Sequence, residues 1–199
     1  MAVVEITSRR EELSLRQRWS DYIALLFGLF GLFMGMNLRD SALNATVVYA
    51  NSQAGIRAEY PENWLIDEQG DYIFRVRDVT QIGFKTTIQV AVRPINTVTS
   101  ARNLIDALTL SRSQTLSSYT VFAIEPYVLP DEVQATAVSY TFVAAESDPF
   151  LQSIPVVVEG LDILAISRGQ AIIITFLSDA RTYDQNYPRF QQFLANLEF

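Results

Sequence analysis

Few residues in this chain have side chains suited to catalysis, and two of the usual types are missing. Its 199 residues contain no Cys and no His. That removes Ser-His-Asp and Cys-His nucleophiles, Cys/His zinc sites, iron–sulfur clusters and haem held by His or Cys. Disulfides and a lipoprotein cysteine are removed for the same reason. Carboxylate, Lys or Tyr chemistry remains. Lys85 is the single lysine, and it falls in an alternating pattern that reads as a solvated strand position.

Asp67-Glu68-Gln69-Gly70-Asp71 is the densest acidic stretch. A hard cation would need six or more oxygens, and the stretch lacks the spacing of a Ca²⁺ loop. It reads as a solvated turn. Asp131-Glu132 and Asp148 read as loop acids. A carboxylate pair for glycoside hydrolysis is defined by its separation in space, and no pair stands out here. Trp64, Tyr72, Tyr140 and the C-terminal aromatics read as core. The expectation is no catalytic residue, no metal site, no cofactor and no enzymatic activity. A His-free hydrolase is the residual alternative.

The element order says what must carry these residues. Ile56–Tyr60 is a strand that stops at Pro61, with a turn at Glu62-Asn63 and Trp64 as a core anchor. Residues 71–78 alternate, with Tyr72, Phe74 and Val76 on one face. Residues 84–95 alternate too, with Ile88, Val90 and Val92 against Gln89, Ala91 and Arg93, so the two runs pair antiparallel. Ser100 caps a helix whose stripe is Ala101, Leu104, Ile105, Leu108 and Leu116, with Arg112 lying off it. Strands follow at 119–129, broken by Pro126, and at 133–144, with Val138, Tyr140 and Phe142 facing one way. The next runs from 155 to 167, with a bulge or bend at Gly160. A tight turn at Arg168-Gly169-Gln170 leads to the last strand, where Ile172-Ile173-Ile174 implies a central place buried on both faces. A final helix is capped by Asn186, with Pro188 in its first turn and Tyr187, Phe190, Phe193, Leu194 and Leu197 on its docking face. The order predicts an α+β fold, a mostly antiparallel sheet flanked by helices.

Ahead of this domain lies Tyr22–Leu38, a long run without charge. At about 1.5 Å per residue it spans roughly 25 Å, and starting from Trp19 it is long enough for the ~30 Å bilayer core. Apolar residues occur all round it, which a surface helix would not allow. The expected organisation is a tail over 1–18, a transmembrane helix over 19–38, a linker over 39–55 and the α+β domain over 56–199. Within the linker, Val47–Ala50 is either a brief strand or the approach to the domain, and Asn44-Ala45-Thr46 matches a glycosylation sequon. Ser8 and Glu11 form a capping-box pattern, from which a helix would run on from about Arg9. A cleaved signal peptide is the competing reading. Arg9, Arg10, Arg16 and Arg18 precede the span and only Arg39 lies just beyond it, which places the N-terminus in the cytoplasm and the large domain outside. Gly28, Gly31 and Gly35 lie within the span. Gly31 and Gly35 form a small-xxx-small pair that would admit a partner helix.

The formal net charge is −7, and beyond residue 39 there are ten Lys and Arg against eighteen Asp and Glu. Such a surface repels phosphate backbones and argues against nucleic acid as a partner.

Ala58-Glu59-Tyr60-Pro61-Glu62-Asn63-Trp64, the helix near 100–116 after a strand pair, and the ending at 183–199 with Phe190, Leu194 and Phe199 resemble the PsbP-like family. This is the α/β/α sandwich of the extrinsic photosystem II protein and its bacterial relatives. The resemblance covers roughly residues 55–199. It implies a non-enzymatic extracytoplasmic domain that helps assemble or stabilise a membrane complex. With no His, the family's histidine-dependent metal sites have no counterpart, and no functional residue carries over. The expected partners are the lipid bilayer and integral subunits of a larger complex; a stand-alone anchored binding module is the alternative.

Overall fold

The computed structural model describes residues 15–43, 45–96, 100–130, 132–145 and 154–199. The chain divides into two units, the second beginning at Thr46.

In the first unit a helix, α1, runs over Leu15–Leu43. It passes the expected end at Leu38, and residues 39–43 contain neither Gly nor Pro to break it. Trp19–Ala42 is long and apolar enough to cross a membrane, and none of it is buried. Phe27, Phe30, Leu32 and Phe33 point outward around it, each at least 60% exposed. The Ser8/Glu11 pattern and Asn44 of the sequon lie outside the described residues.

The second unit opens with a hairpin, β1 (Thr46–Asn51) against β2 (Ile56–Pro61). The run at 47–50 is therefore a strand. Then come β3 (Leu65–Asp67), β4 (Phe74–Arg77), β5 (Thr87–Pro94), α2 (Ala101–Thr115), β6 (Ser117–Val128), β7 (Gln134–Ala144), β8 (Val156–Ser167), β9 (Gln170–Asp179) and α3 (Tyr183–Ala195). Strands β3 to β9 form one antiparallel sheet in the order β3-β4-β5-β9-β8-β7-β6. The triple-isoleucine strand β9 is at its centre, as its two-sided burial requires.

The strand periodicity sorts side chains into two cores. Phe74, Val76, Ile88, Val90, Ile174 and Phe176 face α3 and β2, where they meet Phe190, Phe193, Leu194, Ile56 and Trp64. Ala91, Ile173, Leu164, Val138, Tyr140 and Phe142 face the other way, with Ile105 of α2. The result is helix, sheet, helix, with β1–β2 on the α3 side. The segment after α3 returns to β2, where Arg57 and Glu198 exchange backbone hydrogen bonds of 3.0 and 2.8 Å.

Five local expectations need correction. Tyr72 does not share a face with Phe74 and Val76: the chain bends before β4, and Tyr72 packs on the α2 side while Ile73 packs on the α3 side. Pro126 does not break its strand. β6 is the sheet's end strand, where a missing N–H is tolerated. Gly160 is not a bulge, since pairing runs unbroken through it on both sides. It makes room for Tyr140, whose ring would lie 2.4 Å from an added Cβ. Asn186 does not cap α3; it is buried inside the helix, and Thr182 holds the cap position. Pro188 correspondingly lies in the helix interior rather than the first turn. The turn before β9 is as expected, with Arg168 and Gly169 both at positive φ (51° and 75°), a two-residue hairpin geometry that glycine favours.

Candidate functional site

Ser100 caps α2 as its sequence demands, accepting a hydrogen bond from the Asn103 N–H at 3.2 Å. The apolar face of the helix, Ile105 with Leu104 and Leu108, packs on the sheet and brings Arg112, in the last turn, down onto it. Both guanidinium NH₂ groups engage the Asp162 carboxylate on β8, Nη2 at 2.8 Å from Oδ1 and Nη1 on Oδ2. The Thr175 hydroxyl donates to Oδ1 at 2.7 Å, and Tyr140 approaches the same oxygen at 3.5 Å. The guanidinium lies over the Tyr140 ring, 4.6 Å from its centroid. Asp162 is 3% exposed. Burial pushes its carboxyl above the ordinary value, against the downward pull of Arg112 and the surrounding hydrogen bonds. Tyr140 is likewise driven up by burial.

Asp162 belongs to a polar row that crosses five strands in register: Asp67 opposite Arg75, Arg75 opposite Gln89, Gln89 opposite Thr175, Thr175 opposite Asp162. Its other end is built differently. Asp67 accepts from the Gln69 N–H at 2.9 Å, the Tyr72 hydroxyl at 2.8 Å and Arg75 at 2.6 Å. Those bonds, the Gln69 amide first, hold its carboxyl down at about 2. The 67–71 stretch is thus a turn with its first carboxylate fully engaged.

A second polar assembly lies where the ends of β5 and β9 meet α3. The Asn186 amide nitrogen reaches the hydroxyls of Thr86 and Ser178 at 3.0 Å and of Thr182 at 3.2 Å, and its oxygen accepts from Gln81 at 3.2 Å. Buried Asp78 takes Arg189 and Thr80, and buried Asp179 takes Arg181. Beside them opens a cleft of about 480 Å³ lined by Gln81, Ile82, Phe84, Asp179, Arg181, Thr182, Gln185 and Asn186. Its volume is within the range of small-ligand sites, and its lining offers amides and hydroxyls for a polar ligand.

Among the described residues no three His, Cys, Asp or Glu gather as metal ligands. Lys85 gives its amino group to the Gln81 carbonyl. Glu132 occupies a left-handed turn at φ 61°, while Asp131 and Asp148 lie outside the described residues. Trp64, Tyr140, Phe190 and Phe193 are buried core, as expected. Gly28, Gly31 and Gly35 sit at i, i+3 and i+7 on α1, and a Cβ on any of them would meet nothing within 4 Å. The Arg112–Asp162 pair escaped the sequence reading, which placed Arg112 off the helix stripe. Asp162 inside an otherwise apolar strand was the available signal, because a buried charge demands a partner.

The solution structure of the cyanobacterial PsbP protein from Synechocystis matches at a TM-score of 0.57 and 14% identity, covering 77% of this chain and 92% of that one. The C-terminal domain has a PsbP-like fold. A crystal structure of the Pseudomonas aeruginosa protein PA94 matches at a TM-score of 0.49 and 10% identity, over 76% of this chain and 95% of that one, a likeness too small to support an argument. No family model matches the chain, and no curated protein matches its sequence.

Proposed function

We propose that this chain is a non-enzymatic, single-pass membrane protein. In this reading its PsbP-like domain lies outside the cytoplasm and serves as an accessory, assembly or stabilising subunit of a larger membrane complex, photosynthetic or respiratory. The observation that carries the proposal is α1: a helix of membrane-spanning length, apolar all round, wholly exposed, with Gly28, Gly31 and Gly35 along one face. In lipid, helices associate by close packing over small residues, so this face is where an integral subunit would approach. Four arginines before the uncharged run Tyr22–Leu38 against Arg39 just after it support a domain outside the cytoplasm.

Mild detergent solubilisation followed by native electrophoresis tests the proposal. The full-length chain should migrate in a complex, and Gly31→Leu or Gly35→Leu should release it while the domain stays folded. Migration of the wild type as a free monomer would count against a subunit role. The cleft beside Asn186 favours a second reading, a stand-alone anchored module that binds a polar ligand. That reading predicts ligand capture by a chain whose α1 is replaced by an unrelated membrane span.

A further inference from the structure

We propose that the α2-side face of β4 and β5 is a docking site for a carboxylate-rich segment of a partner protein. This surface belongs to the sheet and does not depend on how α1 is used. Phe74, Val76, Ile88 and Val90 turn toward α3, so their strand neighbours Arg75, Arg77 and Gln89 turn the opposite way. α2 packs chiefly on β6 and β8. Arg93 continues the same face of β5 and is exposed. The domain is acidic, yet this small face collects three of its ten cationic side chains.

The local charges do not balance. Asp67 is the carboxylate of the row that adjoins Arg75, and Arg75, Tyr72 and the Gln69 amide already occupy it. Arg77 makes no ion pair and no side-chain hydrogen bond among the described residues. The Nε atoms of both Arg75 and Arg77 are buried without a hydrogen-bond partner there. Those Nε atoms are closed to solvent, so an incoming carboxylate would meet the outer NH₂ groups of the planar guanidinium fork, which match it. Arg77 opposes Thr87 and Arg75 opposes Gln89, so β5 supplies no carboxylate across from either arginine. The Asp67–Arg75 contact shows the geometry that Arg77 is free to repeat. Asp71 lies farther along, in the turn near Arg93, and leaves Arg77 uncompensated.

The test uses the full-length chain in phosphatidylcholine nanodiscs and fluorescein-labelled hexaglutamate, read by anisotropy. A net-negative protein repels such a peptide at long range, so capture must be local. Binding that weakens with salt is expected. Arg77→Gln should weaken it about tenfold, the loss of one charge-assisted hydrogen bond. Gln89→Glu, which adds a carboxylate beside the two arginines, should weaken it similarly even if Arg77→Gln perturbs folding. Exposed Arg102→Gln on α2 should stay within about twofold of wild type. No binding by the wild type, or equal losses at Arg77 and Arg102, would overturn the proposal. So would Arg77-dependent capture of vesicles containing phosphatidylglycerol without capture of hexaglutamate, which would make the site one for lipid phosphate.

Discussion

On its α3 side the sheet presents Phe74, Ile88, Val90, Ile174 and Phe176 to a helix that answers with Phe190, Phe193 and Leu194. Phe176 and Phe190 stack with ring centroids 4.8 Å apart and planes 9° from parallel. On the α2 side the same strands carry Asp67, Arg75, Gln89, Thr175 and Asp162, and the helix answers with Arg112. Dispersion and burial hold one face, with little directional demand. The other face has an apolar core of its own around Ile105, and adds one point, Arg112 on Asp162, where each charge has given up most of its water and depends on its partner. The first kind of contact supplies stability. The second specifies where the helix must sit.

Cutting each face once and then repairing it separates the two kinds of contact. Phe190→Ala should cost about 4 kcal/mol, since the ring is fully buried and the stack leaves a cavity that cannot collapse. Urea unfolding of the full-length chain, followed by Trp64 fluorescence in a Trp19→Phe background, measures it. Asp162→Asn should cost about 3 kcal/mol by stranding the Arg112 charge. The repair then separates the faces. Arg112→Met combined with Asp162→Leu should restore stability to within about 1 kcal/mol of wild type or exceed it, because apolar packing replaces two desolvation costs. If the double variant is as unstable as the single, the pair contributes real net stability and the contrast fails.

The smallest effect comes from pH. Two carboxylates in one row are shifted in opposite directions, Asp67 down to about 2 by its hydrogen bonds and Asp162 up by burial. The depressed Asp67 contributes stability that is present above its ordinary value near 3.8 and is lost as pH falls through about 2. The raised Asp162 acts in reverse: the native chain takes its proton before the unfolded chain does, so from this group alone stability rises as pH falls from its raised value toward the ordinary one. Carboxyl carbon NMR titration should show Asp162 taking its proton before Asp67 as pH falls. Asp67→Asn should destabilise at neutral pH, by an amount that shrinks as pH falls and is gone below about 2. A common midpoint for the two groups would erase the distinction.

Much of the fold was legible along the chain because burial writes a local period. Alternation at 87–92 placed Ile88 and Val90 inward, the triple isoleucine placed β9 at the centre, and the Phe190, Phe193, Leu194 stripe placed α3 on the sheet. The apolar run in α1 needed nothing but length and composition to be read as a candidate span. Tertiary structure alone decided the rest. Arg112 and Asp162 are 50 residues apart, and the Asn186 amide reaches Thr86 across 100. Gly160 owes its smallness to Tyr140 on the next strand rather than to any bend of its own. The row from Asp67 to Asp162 exists because five strands settled into one register, and register is set by pairing between distant segments. Periodicity shows which way a side chain points. Only the packed sheet determines which side chain it meets there.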